Sequence, residues 1–381
     1  MKRIKVVYLI DTLVVGGAEK SLVDIAINNP SIDSVFITIY KGDALAPLLE
    51  KNNIEVYKLD NTFKYGFDAA LQQLLPLIDS IKPDIIHSTL FRSDIIARKV
   101  KAVRNIVLVS SFVNNSYAKV RYDKMSFVSK CKLYGIQLFD RWTAKKVDLF
   151  ISNSQTIKNS NGKSLGVNEN KIKVIYRGRS SKKFSEITVA DALALRTDLK
   201  IDIDTKVLLN VSRLLDRKGQ MDLLHSFAKI IKTNPNVVLL IAGEGAYRNV
   251  LENEIEKLGL KEKAILLGSR NDIPTLLQLA DIFVFPSHYE GLPGALIEAM
   301  FAQKIIICSD IGENTECVSL NEAVLFKTSD VDELYDKLKL VLNNIEDYKK
   351  LGINAKQSAI QKFELSNIVQ QYNSTYSQLL K

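Results

Sequence analysis

Residues 285–303 read FPSHYEGLPGALIEAMFAQ, and in them two carboxylates, Glu290 and Glu298, flank a Gly-Leu-Pro-Gly turn. Breakers followed by strong helix formers place a helix start between the two acids. A helix start offers unpaired amides and the positive end of a dipole, which suits an anion such as a phosphate. Carboxylates in contact with a phosphate would repel it, so they read as hydroxyl acceptors on either side of it. Sugar hydroxyls are the donors that fit. Spacing alone leaves a plainer alternative open, in which Glu298 is a dipole-stabilising surface acid and Glu290 a loop charge.

Around these residues, ADIFVFPS is an apolar, β-branched and aromatic run that predicts a buried strand ending near Pro286, with Pro293 as the first helical residue and ALIEAMFAQK as the helix. IIICSD gives the next strand, so the unit is a βαβ crossover, whose ligands bind outside the carboxyl ends of the strands. The same alternation runs through both halves: KVVYLI, VFITIY, DIIHS and IVLVSS first, then KVLLNVS, VVLLIAG, AILLG, DIFVFPS and KIIICSD. This predicts α/β architecture in two doubly wound parallel domains, 1–180 and 181–362, with a hinge near 174–188. The segment 363–381 predicts an amphipathic helix that can cross back to the first domain.

Composition agrees with two globular domains: 381 residues, 46% hydrophobic and 25% charged. No apolar run reaches the roughly 18 residues a spanning helix needs, and the start, MKRIKVVYLIDTL, reads as a first strand rather than a leader. Cys131, Cys308 and Cys317 are odd in number and widely spaced, which argues against a disulfide framework and fits a reducing, cytoplasmic compartment. Charge is uneven. Residues 1–180 carry 28 basic against 16 acidic side chains, a balance of +12, while 181–381 carry 24 against 27, a balance of −3. The first half therefore faces something anionic.

Four stretches of the second half stand in a fixed order: VSRLLDRKGQMDLLHSFAKI, LLIAGEGAYRNVLENEIEKLGL, ILLGSRNDIPTLLQLADIFVFPS and HYEGLPGALIEAM. Together they resemble the nucleotide-sugar-binding half of the retaining glycosyltransferases of the fourth sequence family, and GGAEKSL and DIIHS in the first half match as well. The resemblance implies the GT-B fold, two Rossmann-like domains facing across a cleft. It also implies that Arg213 and Lys218 grip a diphosphate and stabilise the charge that develops as it leaves. Glu290 contacts the transferred sugar, helped by the amides of Gly291 and Leu292, and Glu298 accepts bonds from the ribose. Ser269, Arg270, Asn271 and Ile273 hold the base, largely through backbone groups. Gly243 and Gly245 form another donor-side loop, although a plain turn explains them almost as well. Gly16 and Gly17, between the first strand and AEKSLVDIAI, form one more anion-ready turn. Glu298→Ala is expected to weaken donor binding with little loss of fold, because a helix accepts Ala readily.

One departure from the family stands in SSFVNNSY, where Asn114 occupies a position at which many relatives carry a histidine facing the reaction centre. Asparagine hydrogen-bonds but does not titrate, so acid–base work there is ruled out. Among the histidines, His87 either lines the site or is a satisfied buried residue, His225 is structural, and His288 adjoins Glu290 at the site.

The segment KVRYDKMSFVSKCKLYGIQLFDRWTAKK, 119–146, holds eight basic and two acidic residues, interleaved with Met125, Phe127, Val128, Leu138, Phe139 and Trp142. These six fall on one arc of a helical wheel, as an interfacial membrane helix requires, and as core packing also produces.

The leading reading is metal-independent, retaining transfer of a sugar from a nucleoside diphosphate donor, uridine-based, with no further cofactor. The acceptor is a glycan or lipid-linked glycan, bound by the first domain, in cell-surface polysaccharide or glycoconjugate synthesis. The expected location is cytoplasmic, peripheral on the inner face of the cell membrane. A GT-B epimerase or phosphorylase is a second enzyme class. A nucleic-acid-binding protein is a third reading, prompted by the basic half but lacking any recognition motif, so no nucleic-acid partner is expected. A dinucleotide-dependent oxidoreductase is disfavoured because GGAEKS lacks the G-x-G-x-x-G pattern.

Overall fold

Alternation along the first strand sets the layers of the N-terminal unit. Val6, Tyr8 and Ile10 point to one face, where Leu22, Val23 and Phe36 join them, and Val7 and Leu9 point to the other, against Leu74, Ile78 and Ile96. In this computed structural model, which describes residues 3–62, 66–123 and 125–381, seven strands form one sheet: β1 (Ile4–Ile10), β2 (Ile32–Thr38), β3 (Glu55–Lys58), β4 (Ile85–Thr89), β5 (Val107–Phe112), β6 (Leu149–Ser152) and β7 (Ile172–Val174). Their order is β3-β2-β1-β4-β5-β6-β7 and every pairing is parallel. Both faces are covered, which is why the central strands read as nearly continuous apolar runs.

The chain divides into two units, Met1–Gly178 with Leu365–Lys381, and Arg179–Glu364. The last helix, Leu365–Leu379, belongs to the first unit. Leu365, Ile368, Val369, Tyr372 and Tyr376 recur at helical spacing and are buried in the same cluster as Tyr8 and Ile10. Five such side chains, at roughly 1.5–3 kcal/mol each for full burial, make this helix an integral part of that core.

The second unit carries β8 (Lys206–Val211), β9 (Val237–Ala242), β10 (Ala264–Gly268), β11 (Ile282–Phe285), β12 (Ile305–Ser309) and β13 (Val324–Phe326). The order is β10-β9-β8-β11-β12-β13, again all parallel. Leu208, Leu239, Ile241, Val284 and Ile307 bury one face against Leu223, Phe227, Leu251, Leu334 and Leu338. From β8 the chain steps outward through β9 to β10 and then returns to the other side of β8 as β11. The order of strands thus reverses between β8 and β11, and that is where a doubly wound sheet opens a ligand crevice.

Candidate active site

The strand order of the second unit decides which loops can share a ligand. At the carboxyl edge, the residues after β10 (Ser269, Arg270, Asn271, Ile273), after β9 (Gly243, Gly245), after β8 (Arg213, Lys218) and after β11 (His288, Glu290, Gly291, Leu292) follow one another across the sheet. Base-side and sugar-side positions therefore lie at opposite ends of a row whose middle is cationic. Asn210 of β8 donates from Nδ2 to the Val284 carbonyl of β11 at 2.8 Å, tying the two strands that bracket the reversal.

Lys218 ends a short 3-10 turn, Asp216–Lys218, and is buried. Its ammonium donates to Glu290 Oε1, and Arg217 Nη1 stands 3.6 Å from Glu290 Oε2 while donating to the Tyr289 carbonyl at 2.8 Å. Burial pulls the Lys218 ammonium below its ordinary pKa, and the charges of Arg217 and Arg213 act in the same direction against the attraction of Glu290. Burial alone would raise Glu290, but Lys218 and Arg217 outweigh it and hold the carboxyl below its ordinary value. Arg213 is exposed. The residues predicted for the diphosphate and the sugar are thus joined in one cluster, and the mutual repulsion of Arg213, Arg217 and Lys218 makes that cluster receptive to a further anion.

The glycines of these loops serve backbone packing. Gly243 has φ +146°, and a Cβ there would lie 1.9 Å from the Ser212 carbonyl oxygen; at Gly245 it would lie 2.2 Å from that of Leu214. With Leu214 N donating to Glu244 O at 2.9 Å, the loop after β9 lies directly on the loop after β8. Gly219, at φ +68°, comes equally close to the Pro286 carbonyl, and His288 N donates to the Arg217 carbonyl at 2.9 Å, so the β8 loop also rests on the β11 loop. Backbone meets backbone at these positions, which fixes where Arg213 and Lys218 stand.

Glu298 lies in the helix Gly294–Phe301, which Pro293 precedes as its cap, so the helix begins one residue later than predicted. Glu298 accepts from Arg179 Nε at 2.8 Å, and both side chains are buried. This removes the alternative of an exposed surface acid. Sequence reasoning missed Arg179 because its partner is 119 residues away. Arg217 was in view inside DRKG, yet nothing local marked it as a second cation on Glu290. Arg270 is bound to Asp272 through Nε at 2.8 Å, which stiffens the turn into the helix Ile273–Leu279.

The histidines divide cleanly. His288 accepts a place beside the site but is tied through Nε2 to Asp222 at 2.7 Å, and His225 pairs with Glu254 at 3.0 Å. His87 is 0% exposed, with Nδ1 2.6 Å from the Tyr376 hydroxyl and Nε2 2.7 Å from Ser111 Oγ. Burial lowers its pKa to about 3. It does not line an open site in its unit; it is a satisfied core histidine that receives the last helix, which corrects the site-lining alternative.

Asn114 follows β5 and lines a pocket of about 330 Å³ within the first unit, together with Asp11, Arg92, Tyr117 and Arg121. Asp11 accepts from the Ser93 amide at 2.9 Å and hydroxyl at 2.7 Å, and Arg92 Nη1 lies 3.3 Å away. Gly16 and Gly17 open the helix Gly17–Ile27 after β1, and a Cβ on Gly17 would stand 3.0 Å from Arg177 Nη1. Among the described residues no group of three His, Cys, Asp or Glu side chains is placed to hold a metal.

A family model described as "Glycosyl transferases group 1" matches residues 191–358, and a second, "Glycosyltransferase Family 4", matches 33–182. The chain belongs to the group 1 glycosyltransferases. Similar curated members of the family include the Campylobacter jejuni N,N'-diacetylbacillosaminyl-diphospho-undecaprenol alpha-1,3-N-acetylgalactosaminyltransferase, 33% identical over 60% of this chain and 59% of that protein. The Escherichia coli UDP-Gal:alpha-D-GlcNAc-diphosphoundecaprenol alpha-1,3-galactosyltransferase is 29% identical over 75% of this chain and 72% of its own length. Among solved structures, HepE of Anabaena in complex with UDP and glucose superposes with a TM-score of 0.86 at 24% identity, covering 99% of this chain and all of that one. WaaG, a glycosyltransferase involved in lipopolysaccharide biosynthesis, superposes at 0.77 with 15% identity, covering 96% of this chain and 98% of that one. The fold is GT-B.

Proposed function

We propose that the protein transfers a sugar, with retention of anomeric configuration, from a uridine diphosphate sugar to a glycan or lipid-linked glycan acceptor during cell-surface polysaccharide or glycoconjugate synthesis. The observation that carries this reading is the Lys218–Glu290–Arg217 cluster, with Arg213 beside it, at the point where the strand order reverses. The bond between the anomeric carbon and the β-phosphate oxygen breaks, and its electron pair leaves with the nucleotide. Arg213 and Lys218 meet the charge that builds there. The acceptor oxygen bonds to the same face of that carbon, and its proton passes to the departing phosphate oxygen, so Asn114 need not titrate. Glu290 orients the sugar, Glu298 the ribose, and the loop Ser269–Ile273 the base. Protein cations and amides balance the diphosphate, so neither metal nor further cofactor is required.

Uridine as the base is supported by the UDP named in the E. coli relative and in the HepE complex, and the acceptor class by the diphosphoundecaprenol named in both curated relatives. The reaction belongs in the cytoplasm, in line with cysteines that are odd in number and widely spaced along the chain, with the protein peripheral on the inner membrane face.

The experiment is to screen UDP-sugars by thermal shift, since saturating ligand adds a few kcal/mol of stability, and then to follow free UDP with and without a diphosphate-linked glycan lipid. UDP released only with acceptor present, product anomer equal to donor anomer, and turnover unaffected by EDTA are the expected results. Release without acceptor would favour the epimerase or phosphorylase class, and no stabilisation by any nucleotide sugar would sink the reading.

A further inference from the structure

The helix Phe127–Ala144 keeps one face for the solvent. Ser126 caps its start by accepting from the Ser129 amide, and Leu133, Asp140, Thr143 and Ala144 form the buried side. Asp140, the only acidic residue of this helix, is turned inward to Arg98 Nη1 at 2.5 Å and to the Tyr117 hydroxyl at 2.6 Å. Opposite it, Phe127, Val128, Tyr134, Leu138, Phe139 and Trp142 are all exposed, Phe127 by 80% and Trp142 by 66%. At 3.6 residues per turn these six cover a continuous arc of about 140°. Met125, by contrast, is half-buried against the core, so of the six apolar residues predicted for one arc, five are on this face. Lys124, within the same segment, lies outside the described residues.

The rim of the arc is basic. Lys132 follows Phe139 at one edge, Lys130 and Arg141 flank Tyr134 at the other, and exposed Lys145 and Lys146 stand where the helix ends. No acid faces outward anywhere along the helix. A protein partner for a face this apolar would be matched by hydrogen-bonding groups of both kinds around its edge. A rim of one sign, formed by long side chains whose stems lie along apolar surface while their heads stay in water, is instead matched to a layer of anionic headgroups. Trp142 and Tyr134 have the amphipathic rings that settle at such a boundary. None of the described helices is long and apolar enough to cross a membrane, so this helix would lie on the surface.

We infer that the outward face of the 127–144 helix docks in the interface of an anionic lipid bilayer, with Phe127, Leu138 and Trp142 inserted among the acyl chains and Lys130, Lys132, Arg141, Lys145 and Lys146 among the headgroups. The inference rests on the proposed lipid-linked acceptor for its purpose, and the face is the surface through which that acceptor is reached.

Trp142 is the only tryptophan of the chain, which makes the test direct. Vesicles of phosphatidylglycerol mixed with phosphatidylcholine should shift its emission to the blue, brominated acyl chains should quench it, and the protein should sediment with the vesicles; pure phosphatidylcholine should bind it at least tenfold more weakly. Lys130→Gln with Lys132→Gln should lower anionic-vesicle binding by roughly tenfold or more, and Phe127→Ser with Leu138→Ser by roughly a hundredfold. Both variants should keep UDP affinity by calorimetry, because that site belongs to the other unit. Failure of all nucleotide binding would count against the transferase reading and leave the vesicle result standing. Unchanged Trp142 emission with anionic vesicles overturns the docking face, whether the protein stays in the supernatant or sediments by some other surface. A dimer that Leu138→Ser abolishes would assign the face to a second copy and overturn it too.

Discussion

Arg179 and Glu298, 119 residues apart in sequence, are joined by a 2.8 Å hydrogen bond from Nε to Oε1, with both side chains buried. Helix propensity alone makes Glu298→Ala harmless to the fold, but the pair changes that expectation. Removing the carboxylate takes from a buried guanidinium the hydrogen bond and negative charge that Glu298 supplies, a loss of about 3–5 kcal/mol. Urea unfolding should show Glu298→Ala strongly destabilised, Glu298→Gln less so, and Arg179→Met with Glu298→Met close to wild type. If Glu298→Ala unfolds at the wild-type midpoint and loses only UDP affinity, the pair carries no structural weight.

Arg213 and Lys218 separate by burial. Arg213→Ala should lower kcat/KM by about a hundredfold or more while the unfolding free energy stays within about 0.5 kcal/mol of wild type, because the side chain is exposed. Lys218→Met should lose both turnover and stability, since it takes from buried Glu290 the nearer of its two cations. Equal unfolding midpoints for the two variants would contradict this division, and near wild-type turnover in both would remove the diphosphate role.

Three glycines make a matched set. Gly243→Ala puts a Cβ 1.9 Å from the Ser212 carbonyl and Gly219→Ala puts one 2.0 Å from that of Pro286, each at positive φ, so both should lower the melting temperature sharply and take UDP binding with it. Gly135→Ala, in a helix interior with nothing within 4 Å of the new methyl, should stabilise by about 0.5–1 kcal/mol. A calorimetric scan of the three variants checks the ordering.

Two buried groups of the first unit respond oppositely to pH. Burial lowers His87 to about 3, so its folded pKa lies below the unfolded value; its contribution is present above about pH 6.5 and is lost as pH falls toward 3. Burial raises Asp94 to about 7, against Arg98 and the Ser88 hydroxyl that favour the ion. Its contribution is therefore present below about pH 4 and is lost as pH rises toward 7. Relative to wild type, His87→Gln should gain stability on acidification across that window and Asp94→Asn should gain it on alkalinisation. Each slope is at most roughly 1.4 kcal/mol per pH unit, read from urea unfolding at a series of pH values. Parallel curves for wild type and both variants would show that neither group changes its proton affinity on folding.

Much of the architecture was written in local pattern. Strands β1, β2, β5 and β8 to β12 each carry enough apolar residues to be seen, and the Gly-Leu-Pro-Gly turn announces its helix. β3, β6 and β13 were not among the runs recognised as strands, because none of them holds more than three apolar residues, too few for a readable period, whereas all four residues of β11 are apolar. The order of motifs, through the family resemblance it carries, likewise marked Arg213, Lys218, Glu290 and Glu298 as candidates, in segments that follow strands at the edge where ligands bind.

Side-chain partners were decided only in three dimensions. Chain pattern reports which face of an element is apolar, and a partner more than a hundred residues away leaves no trace in that pattern. Arg179 on Glu298, the last helix closing on His87 through Tyr376, and Gly243 pressed on Ser212 all arise from strand order. The same limit applied to the segment 119–146: its wheel left an interfacial membrane helix and a core helix both open. Packing on Arg98 and Tyr117 oriented Asp140 inward, and a rigid helix that buries one side must turn the opposite side, with Phe127 and Trp142, to the solvent.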